Sequence, residues 1–181
     1  MILFTSGFPY SGKTEFAKAL IKSLGGEFVL HINPKDYYPD NFDILPDEER
    51  MEIATTAWEM SLEKATKSIC ALPNKALIVF DTCCSKSLHM RPLFMNSKLR
   101  GHDIIMVYIN ANGDTRFERS KNNEKIMELE DRYKASFSET LPILKNLSDQ
   151  FYMVNNSNDM ENSLEFNVQR ITGKIKSIRS G

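Results

Sequence analysis

A chain of 181 residues that is 41% hydrophobic and 26% charged has the make-up of one globular domain with a full-sized core. Its formal net charge of −1 excludes a global basic field, so any nucleic-acid contact would need a local basic cleft. Cys70, Cys83 and Cys84 are odd in number and lack CxxC spacing, which argues against a disulfide framework and a zinc site. No apolar run approaches the ~20 residues of a membrane span. The N-terminus enters a strand without the basic start of a secretory signal, so the expectation is a reduced, cytoplasmic setting with no membrane.

In chain order, Met1 to Thr5 is apolar and strand-like, and Glu15 to Leu24 places Phe16, Ala19, Leu20 and Leu24 at helical spacing. Glu27 to Asn33 reads as a second strand. Pro34 to Leu45 is a turn-rich aromatic segment with Asp36, Tyr37, Tyr38, Asp40 and Asp43. Pro46 and the acids Asp47, Glu48 and Glu49 open a helix that runs to about Leu72, where Pro73-Asn74 stops it. Ala76 to Phe80 (ALIVF) is a strand buried on both faces, ending in Asp81. Ser85 to Arg100 is helical with a kink expected at Pro92, and Asp103 to Asn110 is a fourth strand. A helix opens at Asp114 and runs to about Arg119. Ser120 to Glu124 breaks the pattern, and Leu129 to Leu147 is helical again. Gln150 to Val154 is the fifth strand and Asp159 to Ile178 the last helix. Alternating strands and helices predict an α/β fold, a five-stranded parallel sheet with helices on both faces, and ligands at the carboxyl ends of its strands.

Gly7 to Thr14 reads GFPYSGKT and fits G-x-x-x-x-G-K-[ST] without mismatch, between a strand and a helix. Gly7 and Gly12 let the backbone wrap a phosphate chain where a Cβ would clash. The amides of Tyr10, Ser11 and Gly12 and the first helical turn then face the anion. Lys13 reaches the β- and γ-phosphates as a mobile charge, and the Thr14 hydroxyl coordinates Mg2+. Asp81, at the end of an apolar strand, is the candidate second Mg2+ residue, with Thr82 in support. Cys83 and Cys84 read as packing cysteines.

Arg116 and Arg119 lie three apart and share a helix face. With Lys121, Lys125, Arg132 and Lys134 they suggest a basic lid around residues 115–135 that closes over a transferring phosphoryl group. A solvated face paired with Glu118, Glu124 and Glu128 is the plainer alternative. Tyr37, Tyr38 and Phe42 are equally consistent with stacking on a base and with a packed loop. Lys86, His89 and Arg91 suit either an acceptor cleft or a solvated helix start. His31 and His102 read as ordinary strand-end residues. Arg170, Lys174, Lys176 and Arg179 read as the basic outer face of a packed helix.

The series GFPYSGKT, HINPKDYY, ALIVFDT and TRFERSKNN resembles the polynucleotide kinase branch of small P-loop kinases over Met1 to Leu147. That branch includes 5′-hydroxyl polynucleotide kinases and phage kinases acting on hydroxymethylated bases in DNA. The resemblance implies a single kinase domain with the Asp81 strand beside the Gly7 strand. It also implies ATP with Mg2+ as donor, a hydroxyl of DNA or a nucleotide as acceptor, and host cytoplasm as the setting of a phage-encoded member. After Ile-Asn that branch carries Arg-Asp-Asp-Tyr-Arg, whose first acid is the general base. Here Lys35 falls at the base position and Tyr38 replaces the acceptor-binding arginine. Asp36, one residue on, is the candidate base, with Asp81 second. The departure favours a base hydroxymethyl group, such as that of 5-hydroxymethyluracil, over a 5′ end. A nucleoside monophosphate or small-metabolite kinase and a nucleotide-dependent ATPase switch are the rival readings.

Overall fold

The computed structural model describes residues 1–25, 28–73, 76–83, 87–121, 125–157 and 164–180. Lys86, Cys84 and Glu124, and the side chains of His89, Lys125, Glu128 and Arg132, lie outside the described part. The strands are β1 (Ile2–Ser6), β2 (Val29–Ile32), β3 (Leu77–Phe80), β4 (Ile104–Asn110) and β5 (Gln150–Asn155). The helices are α1 (Lys13–Ser23), α2 (Asp47–Ala71), α3 (Ser87–Leu99), α4 (Gly113–Arg119), α5 (Lys125–Leu147) and α6 (Leu164–Ser180). The fourth and fifth helices thus bear out the break after Arg119, while α5 begins at Lys125 rather than near Leu129, and residues 159–163 of the expected last helix lie outside the described part. Helix α3 continues through Pro92.

All five strands pair in parallel in the order β2-β3-β1-β4-β5. The Asp81 strand therefore does lie beside the Gly7 strand, with Phe4 opposite Phe80. Because side chains alternate along a strand, β1 feeds two cores. Leu3, Val79, Ile105 and Val107 pack under α1 and α6 through Phe16, Leu20, Ile171 and Ile175. Ile2, Phe4, Phe80 and Met106 pack on the other face against Ala65 and Ile69 of α2, Phe94 of α3 and Leu144 of α5. Phe4 stacks on Phe94 at 4.5 Å and meets Phe80 edge-on at 5.8 Å, both favoured ring geometries.

Burial on both faces explains why β1, β3 and β4 read as unbroken apolar runs. The edge strands β2 and β5 are only half-buried. No described helix is long and apolar enough to cross a membrane. The central strands deliver Gly7, Asp81 and Ala111 to one end of the sheet, where the site forms.

Candidate active site

The loop after β1 takes its shape from three left-handed residues, Gly7 (φ 140°), Tyr10 (φ 60°) and Gly12 (φ 89°). A Cβ on Gly7 would stand 2.1 Å from the Ile109 carbonyl oxygen, and one on Gly12 would stand 2.2 Å from Asn156 Nδ2. Both contacts are too short for any other residue, so the loop is pressed onto the ends of β4 and β5. Gly12 caps α1, whose free amides face the loop. The Lys13 ammonium donates to the Phe8 carbonyl at 2.7 Å. Ser11 Oγ is buried and, among the described residues, has no hydrogen-bond partner. An orphaned buried hydroxyl, a glycine cradle, a helix N-terminus and a lysine at its mouth together fit a phosphate chain.

Asp81 is nearly inaccessible and its two oxygens are both engaged. Thr5 donates to Oδ1 at 3.1 Å and Asn33 Nδ2 to Oδ2 at 2.9 Å. His31 Nε2 stands 3.5 Å from Oδ2, an ion-pair distance when the ring is protonated. Burial pushes the carboxyl's pKa up, but the neighbouring His31, Thr14 and Thr5 outweigh it and hold the group below the usual carboxylate range. The Thr14 side chain is thus near enough to favour the Asp81 carboxylate. Among the described residues no cluster of three acids, histidines or cysteines could hold a metal. One hydroxyl and one carboxylate suit Mg2+, which keeps waters and phosphate oxygens as its other ligands.

Asn33 and Pro34 turn the chain out of β2 into a 3-10 turn, Pro34–Tyr37, which carries Asp36 exposed at its surface. Tyr38 and Phe42 stack on each other at 4.0 Å, as a packed loop does. Burial, then the nearby Cys83, raises the Tyr38 pKa. Tyr37 instead lines a groove of about 340 Å³ with Met60, Glu63, Lys64, Lys67 and Ser68 of α2.

Helix α4 places its two arginines differently. Arg116 is buried, its guanidinium 4.7 Å over the Phe8 ring and its Nε donating to the Ala111 carbonyl at 3.0 Å. Arg119 lies on the loop itself. It donates to the Ser11 carbonyl at 3.3 Å and, through its other nitrogen, to Asn156 O at 2.8 Å. Phe8 also sits at 5.2 Å from Phe137 of α5, so the loop and α5 form one aromatic cluster with Tyr108 and Tyr133, which α4 reaches only through Arg116. Lys121 and Lys134 are exposed on the same segment. Arg91 is exposed on α3.

Thr5, His31, Asn33 and Asn156 complete the site and were not marked by the sequence patterns. Asn156 Nδ2 donates to the Ser11 carbonyl at 2.8 Å. Only the Asn-Pro pair at Asn33 carried a local signal, that of a side-chain-stabilised turn. His31 is a neighbour of Asp81 rather than a bystander.

No protein-family model and no curated protein matches the chain. Solved structures do. An inferred kinase from Chloroflexus aurantiacus superposes with a TM-score of 0.65 at 16% identity, over 97% of this chain and 96% of its own. Shikimate kinase from Acinetobacter baumannii, in complex with shikimate, gives 0.59 at 17% identity, over 97% and 93%. Kti12 from Chaetomium thermophilum, in complex with ADP-AlF3, gives 0.58 at 14% identity, over the full length of both chains. The fold is therefore that of the P-loop kinases, as the sequence led one to expect.

Proposed function

We propose that the protein is an ATP-dependent kinase that moves the γ-phosphoryl group to a hydroxyl of a nucleic acid or nucleotide. The observation that carries this reading is the convergence of Lys13, Thr14, Asp81 and Arg119 on one glycine-shaped loop. Kti12, a neighbour in fold, is seen with ADP-AlF3, which supports ATP as donor.

The residues divide the work. Backbone amides from Tyr10 to Lys13 bind the phosphates, and Lys13 exchanges the Phe8 carbonyl for phosphate oxygens. Arg119 leaves the Ser11 and Asn156 carbonyls to meet the equatorial oxygens of the transferring group. Arg116 assists by holding Phe8 and the start of α4 in place. Thr14 and Asp81 would hold Mg2+, which when bound would supply charge neutralisation for the phosphates. Asp36 accepts the acceptor hydroxyl's proton as the oxygen bonds to the γ-phosphorus and the bond to the ADP oxygen breaks. Asp81 is the poorer base, because its oxygens are already engaged and its pKa is held low.

The favoured acceptor is a hydroxymethylated pyrimidine in DNA. Lys35 and Tyr38 stand where a 5′-end kinase of the resembling branch carries its base and an arginine. The second reading, a small-metabolite kinase, draws on the likeness to shikimate kinase and the net charge of −1.

Label transfer from γ-labelled ATP with Mg2+ separates them. The acceptors are 5′-hydroxyl DNA and RNA, 5′-phosphorylated DNA with and without 5-hydroxymethyluracil, free nucleotides and shikimate. Label confined to the hydroxymethylated duplex is expected. Label on 5′ ends alone makes it an end kinase, and label on small molecules alone makes the second reading correct. Release of phosphate with no labelled acceptor leaves only an ATPase.

A further inference from the structure

Asn33 occupies the junction between the two halves of the site. It is 5% exposed and both ends of its amide are used. Nδ2 donates to Asp81 Oδ2 at 2.9 Å, while Oδ1 accepts from the Lys35 backbone N–H at 2.9 Å and caps the turn that carries Asp36. A carboxylate only accepts and a backbone N–H only donates, so the two partners fix the amide in one orientation. The Asn33 carbonyl also accepts from the Asp36 N–H at 3.0 Å. From the strand side, Asp81 N donates to Ile32 O at 2.8 Å, which ties the end of β2 to the end of β3. Pro34 follows at once and removes any other use of that backbone position.

We infer that Asn33 is a positioning residue that sets the metal-side carboxylate Asp81 and the acceptor-side turn of Asp36 with one side chain. The inference rests on the roles proposed above for Asp36 and Asp81. It predicts that the two halves fail together when the amide goes and separately when only one of its bonds goes. Residues that hold a ligand from behind change metal affinity by about 10–100-fold when lost.

Serine at this position keeps an acceptor for the Lys35 amide, as serine does at helix starts, yet is too short to reach Asp81. Alanine keeps neither bond. The measurements are ADP affinity with and without Mg2+ by calorimetry, kcat and acceptor KM, and Tm. In Asn33→Ser the gain in ADP affinity on adding Mg2+ is expected to shrink by about tenfold, with acceptor KM unchanged. In Asn33→Ala the same shrinkage is expected together with a lowered kcat at saturating Mg2+, as in Asp36→Ala. Asp36→Ala is expected to lower kcat and leave the Mg2+ effect untouched. A lowered Tm in Asn33→Ser and Asn33→Ala with an unaltered Mg2+ effect would overturn the inference and leave Asn33 a fold residue only. The calorimetric arm needs no acceptor, so it decides the Asn33–Asp81 link even where label transfer fails and the kinase reading falls.

Discussion

Around Gly7 to Thr14 the polar groups of the loop are packed against β4, Asn156, Arg119 and Asp81, and a single added methyl group would collide with backbone or amide. The Pro34–Leu45 segment, joined to that region through Asn33, meets solvent along most of its length and holds its shape by local turns and one aromatic stack. On the proposed reading the first region serves one ligand chemistry, phosphate. The second is a short exposed turn on a rigid frame, the kind of place where specificity changes without cost to the fold. On the proposed reading, donor chemistry belongs to the packed loop and acceptor choice to a few surface residues.

The sharpest way to break the contrast is on the donor side. Lys13→Ala is expected to lower kcat/KM by at least ~10³-fold with every acceptor, since it removes charge that acts on the transferring group. Steady-state label transfer checks it, and a variant that keeps near-normal turnover would remove the loop from the chemistry.

Arg119→Ala is expected to cost on the order of 10²–10³-fold in kcat with a smaller loss of Tm. Arg116→Ala should reverse the balance, because it strips the cation from the buried Phe8 ring and the bond to Ala111. Its Tm falls more than that of Arg119→Ala and its kcat less. Equal effects in both assays would mean that the two arginines act as one unit.

On the acceptor side, Asp36→Asn is expected to lower kcat by about 10²-fold and leave ADP binding alone. Full activity in that variant would remove Asp36 as the base.

The smallest effect concerns acid stability. The folded Asp81 carboxyl lies below its ordinary value of about 3.9, so its contribution is fully present above that pH. It is lost as the pH falls through the lower folded value, when the bonds from Thr5 and Asn33 and the neighbouring His31 ring meet a protonated acid. Tm of the wild type should therefore drop more steeply below pH ~4 than that of Asp81→Asn, by thermal scans in matched buffers. Parallel curves would place the acid sensitivity elsewhere. Asp149, also held low despite burial by Lys98 and the Ile104 amide, is the natural control.

Much of this was legible beforehand, for physical reasons that differ by residue. ALIVF and DIIMVYIN announce buried strands because both faces of a central strand are apolar, and GFPYSGKT announces its loop because only glycine tolerates the close approaches at Gly7 and Gly12. Arg116 and Arg119 were expected to share a role, since they share a helix face. The tertiary surroundings send one to Phe8 and the other to Ser11. Asn156 could not be found locally, for it reaches Ser11 across 145 positions of chain. Tyr38 and Phe42 left two readings open because stacking on a base and stacking on each other demand the same residues.

Asn156 closes the loop from the far end of the chain. The motif is complete once fourteen residues exist, yet its closing amide lies after the last strand of the sheet. On the proposed reading nucleotide affinity is therefore a property of the finished sheet, and bound nucleotide would stabilise the whole chain against unfolding by RT ln(1 + [L]/Kd) rather than one segment of it. A nucleotide-dependent Tm thereby serves as a reporter of complete folding, a gauge of assembly that needs no knowledge of the acceptor.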